Sequence, residues 1–196
     1  MIAALYVERG GPYFNRADVD PWDVGRDASR YAGPHAVVAH PPCGPWGALS
    51  HLYGGSDHNL APIAVEQVRK WGGVLEHPAR SRLWAHCGLP LPGTLGDTHG
   101  YSLEVCQVDW GHVARKRTWL YLVGVSRSSL TFPPPREPTH WCGGSRGSGG
   151  RNIAGTGSGV PNGIKVCSAQ QRRRTPVAFA DWLIGLAHTA QARRAA

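Results

Sequence analysis

Between Ala36 and Pro78 the chain runs apolar segment, rigid loop, amphipathic segment, apolar segment, and that order restricts the fold more than any other stretch. Ala36-Val37-Val38-Ala39 reads as a buried strand leading into His40-Pro41-Pro42-Cys43-Gly44. Two consecutive prolines fix their own φ angles and hold the residue before them extended, so the direction of the Cys43 thiol is largely set. From Ala61 to Trp71 the apolar Ile63, Val65, Val68 and Trp71 alternate with Glu66 and Arg69, and Pro62 stands near the start, as a helix requires. Gly72-Gly73 ends that helix, and Val74-Leu75 opens a strand that stops at Glu76-His77-Pro78. Strand, loop, helix, strand is a βαβ unit, which predicts an α/β fold with mostly parallel strands and flanking helices. Open sheets of this kind bind ligands at the carboxyl ends of their strands, where both Cys43 and Glu76 fall.

The rest of the chain extends this frame. Ile2 to Val7 predicts a first strand, followed by Glu8-Arg9-Gly10-Gly11-Pro12, and residues 15–34 read as polar, acidic and turn-rich. Ser102 to Val108 and Thr118 to Val125 predict two neighbouring strands, separated by a basic stretch that includes Arg115-Lys116-Arg117. Residues 133–163 hold a triple proline and two glycine-serine runs, the composition of a loop or linker. Thr175-Pro176 opens a last helix over 177–187, with Phe179, Trp182, Leu183 and Leu186 on one face. The expected organisation is a catalytic α/β core over 1–125, a Gly/Pro-rich loop or residual recognition region over 126–169, and a C-terminal helix over 170–196 that packs back on the core.

A formal charge of +8 favours a polyanionic partner, nucleic acid first, and a phosphorylated small molecule second. Five scattered cysteines, an odd number with no Cys-x-x-Cys pair, argue against a disulfide framework and against a zinc site. With no signal peptide and no apolar run long enough to span a bilayer, the expected setting is the reducing cytoplasm, away from membranes.

Four elements in order carry a resemblance: the Pro41-Pro42-Cys43 loop, the Glu76-His77-Pro78 strand end, the Arg115-Lys116-Arg117-Thr118 strand entry, and Arg172-Arg173-Arg174-Thr175-Pro176 before a helix. Together they resemble the DNA cytosine-5 methyltransferase family over roughly residues 36–125 and 170–186. The resemblance implies a Rossmann-like methyltransferase sheet, here reduced, since only about 40 residues precede the Pro-Pro-Cys loop. It implies DNA as partner and S-adenosyl-L-methionine as cofactor, with Tyr6, Gly10, Gly11, Asp27 and His40 on the cofactor side. Cys43, Glu76, Arg115 and Arg117 are then the expected catalytic residues, and Pro41, Pro42, Gly44, Trp46, His77, Pro78, Lys116, Thr118 and Arg173 the expected substrate contacts. His77 stands where the family has asparagine, and Ala114 stands near the place of its glutamine. The compact size suggests a phage-like origin.

The chemistry links these residue types. Carbon 5 of a pyrimidine becomes nucleophilic once a thiolate adds at carbon 6, and Cys43 is the expected thiolate, its pKa lowered by nearby cations or backbone amides. Glu76 is expected to give or share a proton at ring nitrogen 3, and the arginines to hold the ring carbonyl or a phosphate. Simpler roles stay open: Glu76 as a strand-end cap, Arg115 to Arg117 as a solvated turn, His77 as a hydrogen-bond donor fixing its loop, the tryptophans as core. Two other functions also stay open. One is action on a free nucleotide or a modified base with another one-carbon donor; the other is non-catalytic, salt-sensitive DNA binding.

Overall fold

The computed structural model describes residues 1–47, 50–141 and 165–190. Six strands form one sheet: β1 (Ile2–Leu5), β2 (Val19–Trp22), β3 (Val37–Ala39), β4 (Gly73–Pro78), β5 (Gly100–Cys106) and β6 (Arg117–Val123). Their spatial order is β2-β1-β3-β4-β6-β5. β1 pairs in parallel with β2 and β3, and β3 with β4, while β6 runs antiparallel between β4 and β5. The expected α/β architecture, with a mostly parallel sheet and flanking helices, is thus present.

The two faces are covered by different helices. Helix α1 (Leu60–Trp71) buries Ala61, Ala64, Val65 and Val68, at helical spacing, against Ala3, Leu5, Val37, Ala39 and Leu75. After the short helices α2 (Leu83–His86) and α3 (Ala169–Arg173), α4 (Val177–Thr189) buries Phe179, Leu183 and Leu186 among Ile2, Ala4, Val38, Val74 and Leu120 on the opposite face. Pro62 sits in the first turn of α1, where its missing N–H costs no hydrogen bond. The α1 stop needs glycine: Gly73 has φ +116°, and a Cβ there would lie 2.0 Å from the Val37 carbonyl oxygen. The close approach of β3 and β4, and with it the spacing of Cys43 from Glu76, depends on that missing side chain.

Two local expectations change. The turn-rich stretch 15–34 contains β2, a four-residue edge strand whose Pro21 and Asp20 conceal it; proline is tolerated at an edge. The strand expected to reach Val108 ends at Cys106, and Gln107–Trp110 turns into a 3-10 helix instead. A short parallel pair, β7 (His140–Trp141) with β8 (Lys165–Val166), closes the described part of the expected loop region. The glycine-rich runs of 143–163 and the Arg193-Arg194 tail lie outside the described residues. No helix among the described residues is long and apolar enough to cross a membrane.

Candidate active site

The chain leaves β1 toward β2 on one side and returns to β3 on the other, so the strand order reverses beside β1 and β3. At such a reversal the loops beyond the carboxyl ends part and leave a crevice. Here the crevice is a cleft of about 790 Å³. Tyr6 and Val7 line it from the end of β1, Asp23 from the end of β2, His40 to Cys43 from the end of β3, and Glu76 and Pro78 from β4. Lys116 enters from the start of β6, and Arg172, Arg173 and Thr175 from the approach to α4. Cys43 and Glu76, from two different strands, therefore face one space.

Glu76 is 8 % exposed and both its carboxylate oxygens are taken. Oε2 accepts from His40 Nδ1 at 2.9 Å, and Oε1 from Gln107 Nε2 at 3.0 Å. Behind His40, the Tyr13 hydroxyl stands 2.6 Å from Nε2. Gln107, fully buried, also donates to the Thr118 hydroxyl at 3.0 Å, and its backbone N–H meets the Lys116 carbonyl at 3.0 Å. Burial alone would raise the Glu76 pKa, but the His40 hydrogen bond and the charges of Lys116, His40 and His77 outweigh it and bring it to about 2. The expectation of a carboxyl that holds a proton near neutrality is thereby corrected: at pH 7 about one molecule in 100,000 would carry it.

The Cys43 thiol is likewise corrected. Its own backbone amide, Lys116 and Arg173 push its pKa down, as anticipated, but crowding by the cleft walls and the Glu76 charge push it up further. Cys43 keeps access to solvent at the cleft mouth, and the neutral thiol is the resting form.

Several expected contacts lie elsewhere. Arg117 pairs with Glu104 at 2.5 Å and Arg115 with Glu137 at 3.2 Å, so neither lines the cleft. Side chains alternate along an extended chain, and with Lys116 turned inward its two neighbours must point away. Trp46 packs its ring on His86, 4.7 Å between centroids, and is absent from the cleft wall. Gly44 backs onto the ring of Tyr53, and Thr118 is buried under Gln107. Gly10 and Gly11 form a turn beyond the lining residues, and a Cβ on Gly10 would meet nothing within 4 Å. His77 is fully buried beside the Pro42 carbonyl and does not line the cleft. Burial holds its pKa down to about 4, and the ring is neutral. His40, expected on the cofactor side, is committed through both nitrogens to Tyr13 and Glu76.

Sequence reasoning missed Tyr13, Asp23 and Gln107. Asp23 directly follows β2, caps the next 3-10 turn through the amides of Gly25 and Arg26, and meets the largely exposed Arg9 at 3.3 Å. It was legible only to a reading that found β2. Among the described residues no cluster of His, Cys, Asp and Glu could hold a metal ion. No protein-family model matches the chain, and no curated protein or solved structure matches it either.

Proposed function

We propose that this chain modifies a pyrimidine at carbon 5, in the manner of a DNA cytosine-5 methyltransferase, through a covalent bond between Cys43 and carbon 6. One observation carries the reading: Cys43 and Glu76 share a cleft whose walls change sign along its length. Glu8, Asp23 and Asp27, with Arg9 beside Asp23, come from the β1–β2 side, and Lys116, Arg172 and Arg173 from the other. A thiol beneath the ring and a carboxylate at its edge serve the base, while the basic end suits the phosphate of the target nucleotide. The six-stranded sheet, with its strand reversal above β1 and β3, is then a reduced form of the methyltransferase sheet.

The acidic end fits a cationic donor with ribose hydroxyls. Asp23 keeps one oxygen facing only the exposed Arg9, so its carboxylate has capacity to accept from a ribose, the role an acid after the second strand plays in dinucleotide folds. S-adenosyl-L-methionine would be held by Asp23 and Asp27 against the Tyr6 ring, and supplies an electrophilic methyl group when bound.

The protein's own part runs as follows. The Cys43 proton leaves to solvent and the thiolate forms a carbon–sulfur bond at carbon 6, pushing the ring electrons toward carbon 5 and nitrogen 3. Glu76 accepts from the exocyclic amine and orients the edge of the ring. Once carbon 5 has been substituted, its proton is lost to solvent, the freed electron pair restores the carbon 5–carbon 6 double bond, and the carbon–sulfur bond breaks to return the Cys43 thiolate. On duplex DNA the base must first leave the stack, at about a few kcal/mol.

The test is covalent trapping. DNA carrying 5-fluorocytosine lacks the proton that release requires, so the adduct persists. With S-adenosyl-L-methionine present, intact mass is expected to show protein plus DNA plus one methyl group, joined at Cys43, and Cys43→Ser none. A folded, DNA-binding protein that forms no adduct with or without the donor would overturn the reading. Turnover of a mononucleotide without DNA would move the substrate to the free nucleotide.

A further inference from the structure

Along β1 the side chains alternate between the faces of the sheet: Ile2 and Ala4 pack on the α4 side, Ala3 and Leu5 on the α1 side. Continued alternation would send Tyr6 toward α4. It packs with the α1 cluster instead, and its backbone has φ 58°, the left-handed turn that lets it do so. Asp27, in the loop after β2, is left-handed too, with φ 51°. Among the described residues, four that are not glycine adopt such a backbone, and Tyr6 and Asp27 are the two that line the cleft.

That conformation is unfavourable for any residue with a Cβ and persists where the surroundings hold it. Here one residue holds both. Gln67, from α1, is buried and does not line the cleft. Its Oε1 accepts from the Tyr6 hydroxyl at 3.0 Å, and its Nε2 donates at 2.8 Å to the carbonyl of Ala28, the residue after Asp27. The Ser29 and Tyr31 carbonyls lie 3.3 Å and 3.4 Å from the same nitrogen. The sense of each link is fixed: carbonyls can only accept, so the amide nitrogen faces them and the amide oxygen faces the hydroxyl. Burial and the Asp27 charge push the Tyr6 pKa well above its ordinary value, so the hydroxyl keeps the proton it donates. A glutamine that merely closed the loop would need the carbonyls alone. The tie to Tyr6 is additional, and what it sets is the wall of the cleft.

We infer that Gln67 is the positioning residue of the donor end of the cleft: without touching the ligand, it sets the affinity for S-adenosyl-L-methionine by holding the Tyr6 ring and the Asp27 loop in place. This rests on the donor assignment above. An adenosyl group offers a flat ring to lie against the tyrosine and ribose hydroxyls to donate to a carboxylate. The Asp27 carboxylate accepts from the Ser29 hydroxyl at 2.5 Å, through one of its two oxygens. Released from Gln67, Tyr6 is free to return to the extended backbone that alternation favours, and Asp27 is no longer held beside it.

The test is equilibrium dialysis with radiolabelled S-adenosyl-L-methionine, on full chains whose near-ultraviolet circular dichroism matches the wild type. Gln67→Met keeps the length of the side chain and removes both ties; its dissociation constant is expected to rise about tenfold or more. Tyr6→Phe keeps the ring and removes the hydroxyl tie, and a rise of about three- to fivefold is expected. The double variant is expected to bind as Gln67→Met does, because the hydroxyl then has no partner left to lose. A glutamine that only braces the loop would lower the urea midpoint of Gln67→Met and leave the dissociation constant of the folded protein unchanged; that result overturns the inference. Losses that multiply in the double variant overturn it as well. A wild-type protein that binds no S-adenosyl-L-methionine overturns the donor assignment and the inference together, while the Cys43 adduct on 5-fluorocytosine DNA remains a separate test of the pyrimidine chemistry. Should Gln67→Met fail to fold, Tyr6→Phe decides: its rise supports the inference, and an unchanged dissociation constant overturns it.

Discussion

Gln107 and Glu76 stand 31 residues apart in the chain and meet at 3.0 Å, amide to carboxylate, in a space closed to water. The same amide nitrogen reaches Thr118, so one side chain ties the end of β4 to the start of β6. Gln107→Leu keeps the volume but leaves Glu76 Oε1 and the Thr118 hydroxyl oxygen each without the amide donor. Hydrogen bonds to a charged group are worth about 1.5–3 kcal/mol, so urea unfolding at pH 7 is expected to show a loss of about 2–3 kcal/mol. A loss below about 0.5 kcal/mol would mean that water replaces the amide at no cost.

His77 and Glu76, adjacent on β4, give acid sensitivity in two separate windows. His77 is neutral in the fold, with a pKa of about 4 against 6.5 when free. As pH falls below about 6.5 the unfolded chain takes up that proton first, so stability drops until about pH 4, by about 3 kcal/mol in all. Glu76, at about 2 against 4.5, acts lower. Its contribution is complete above about pH 4.5 and is lost as pH falls toward 2. Unfolding free energies measured from pH 7 to 3 are therefore expected to lose their upper slope in His77→Gln and their lower slope in Glu76→Gln. One slope surviving in its own variant would refute that assignment.

What could be read in advance follows from how local the signals are. The βαβ order from Ala36 to Pro78 was visible because a 3.6-residue apolar period lies between two apolar runs, with glycines and prolines marking each boundary. The Cys43–Glu76 pairing followed, since parallel strands put both residues at one edge of the sheet. β2 was hidden because four residues containing a proline and an acid leave no alternation to detect. The supporting residues were hidden for another reason. Tyr13 and Gln107 gain meaning only from the partner that folding brings to them, and nothing in their neighbours announces a buried carboxylate. The arginines misled because a basic cluster states charge but not direction; pairing with Glu104 and Glu137 is a tertiary fact.

Cys43 reactivity should respond in opposite directions to its charged neighbours. Glu76 raises the thiol pKa, while Lys116 and Arg173 lower it. Because the thiolate is the nucleophile, Glu76→Gln is expected to speed alkylation of Cys43 by iodoacetamide at pH 8 by about 3- to 10-fold, and Lys116→Met to slow it similarly. Site-resolved mass spectrometry separates Cys43 from the other cysteines. Equal rates in the two variants would mean that burial alone governs the thiol.

The division between Lys116 and Arg117 supplies the sharpest contrast, since the two are adjacent and carry the same charge. Lys116 lines the cleft and bears on both Glu76 and Cys43; Arg117 is paired with Glu104 and does not line it. Replacing Arg117 by alanine removes a partly exposed ion pair, which is worth at most about 1 kcal/mol and is screened by salt. Its trapping rate on 5-fluorocytosine DNA is expected to stay within about twofold of wild type. Lys116→Ala removes a charge that the thiolate form of Cys43 would feel, and its rate is expected to fall by about tenfold or more at pH 7. The ratio of the two rates, measured at one salt concentration so that any general loss of DNA affinity cancels, reads direction and not charge. Equal losses would mean that the basic stretch acts as one undirected patch, and that the inward turn of Lys116 carries no function.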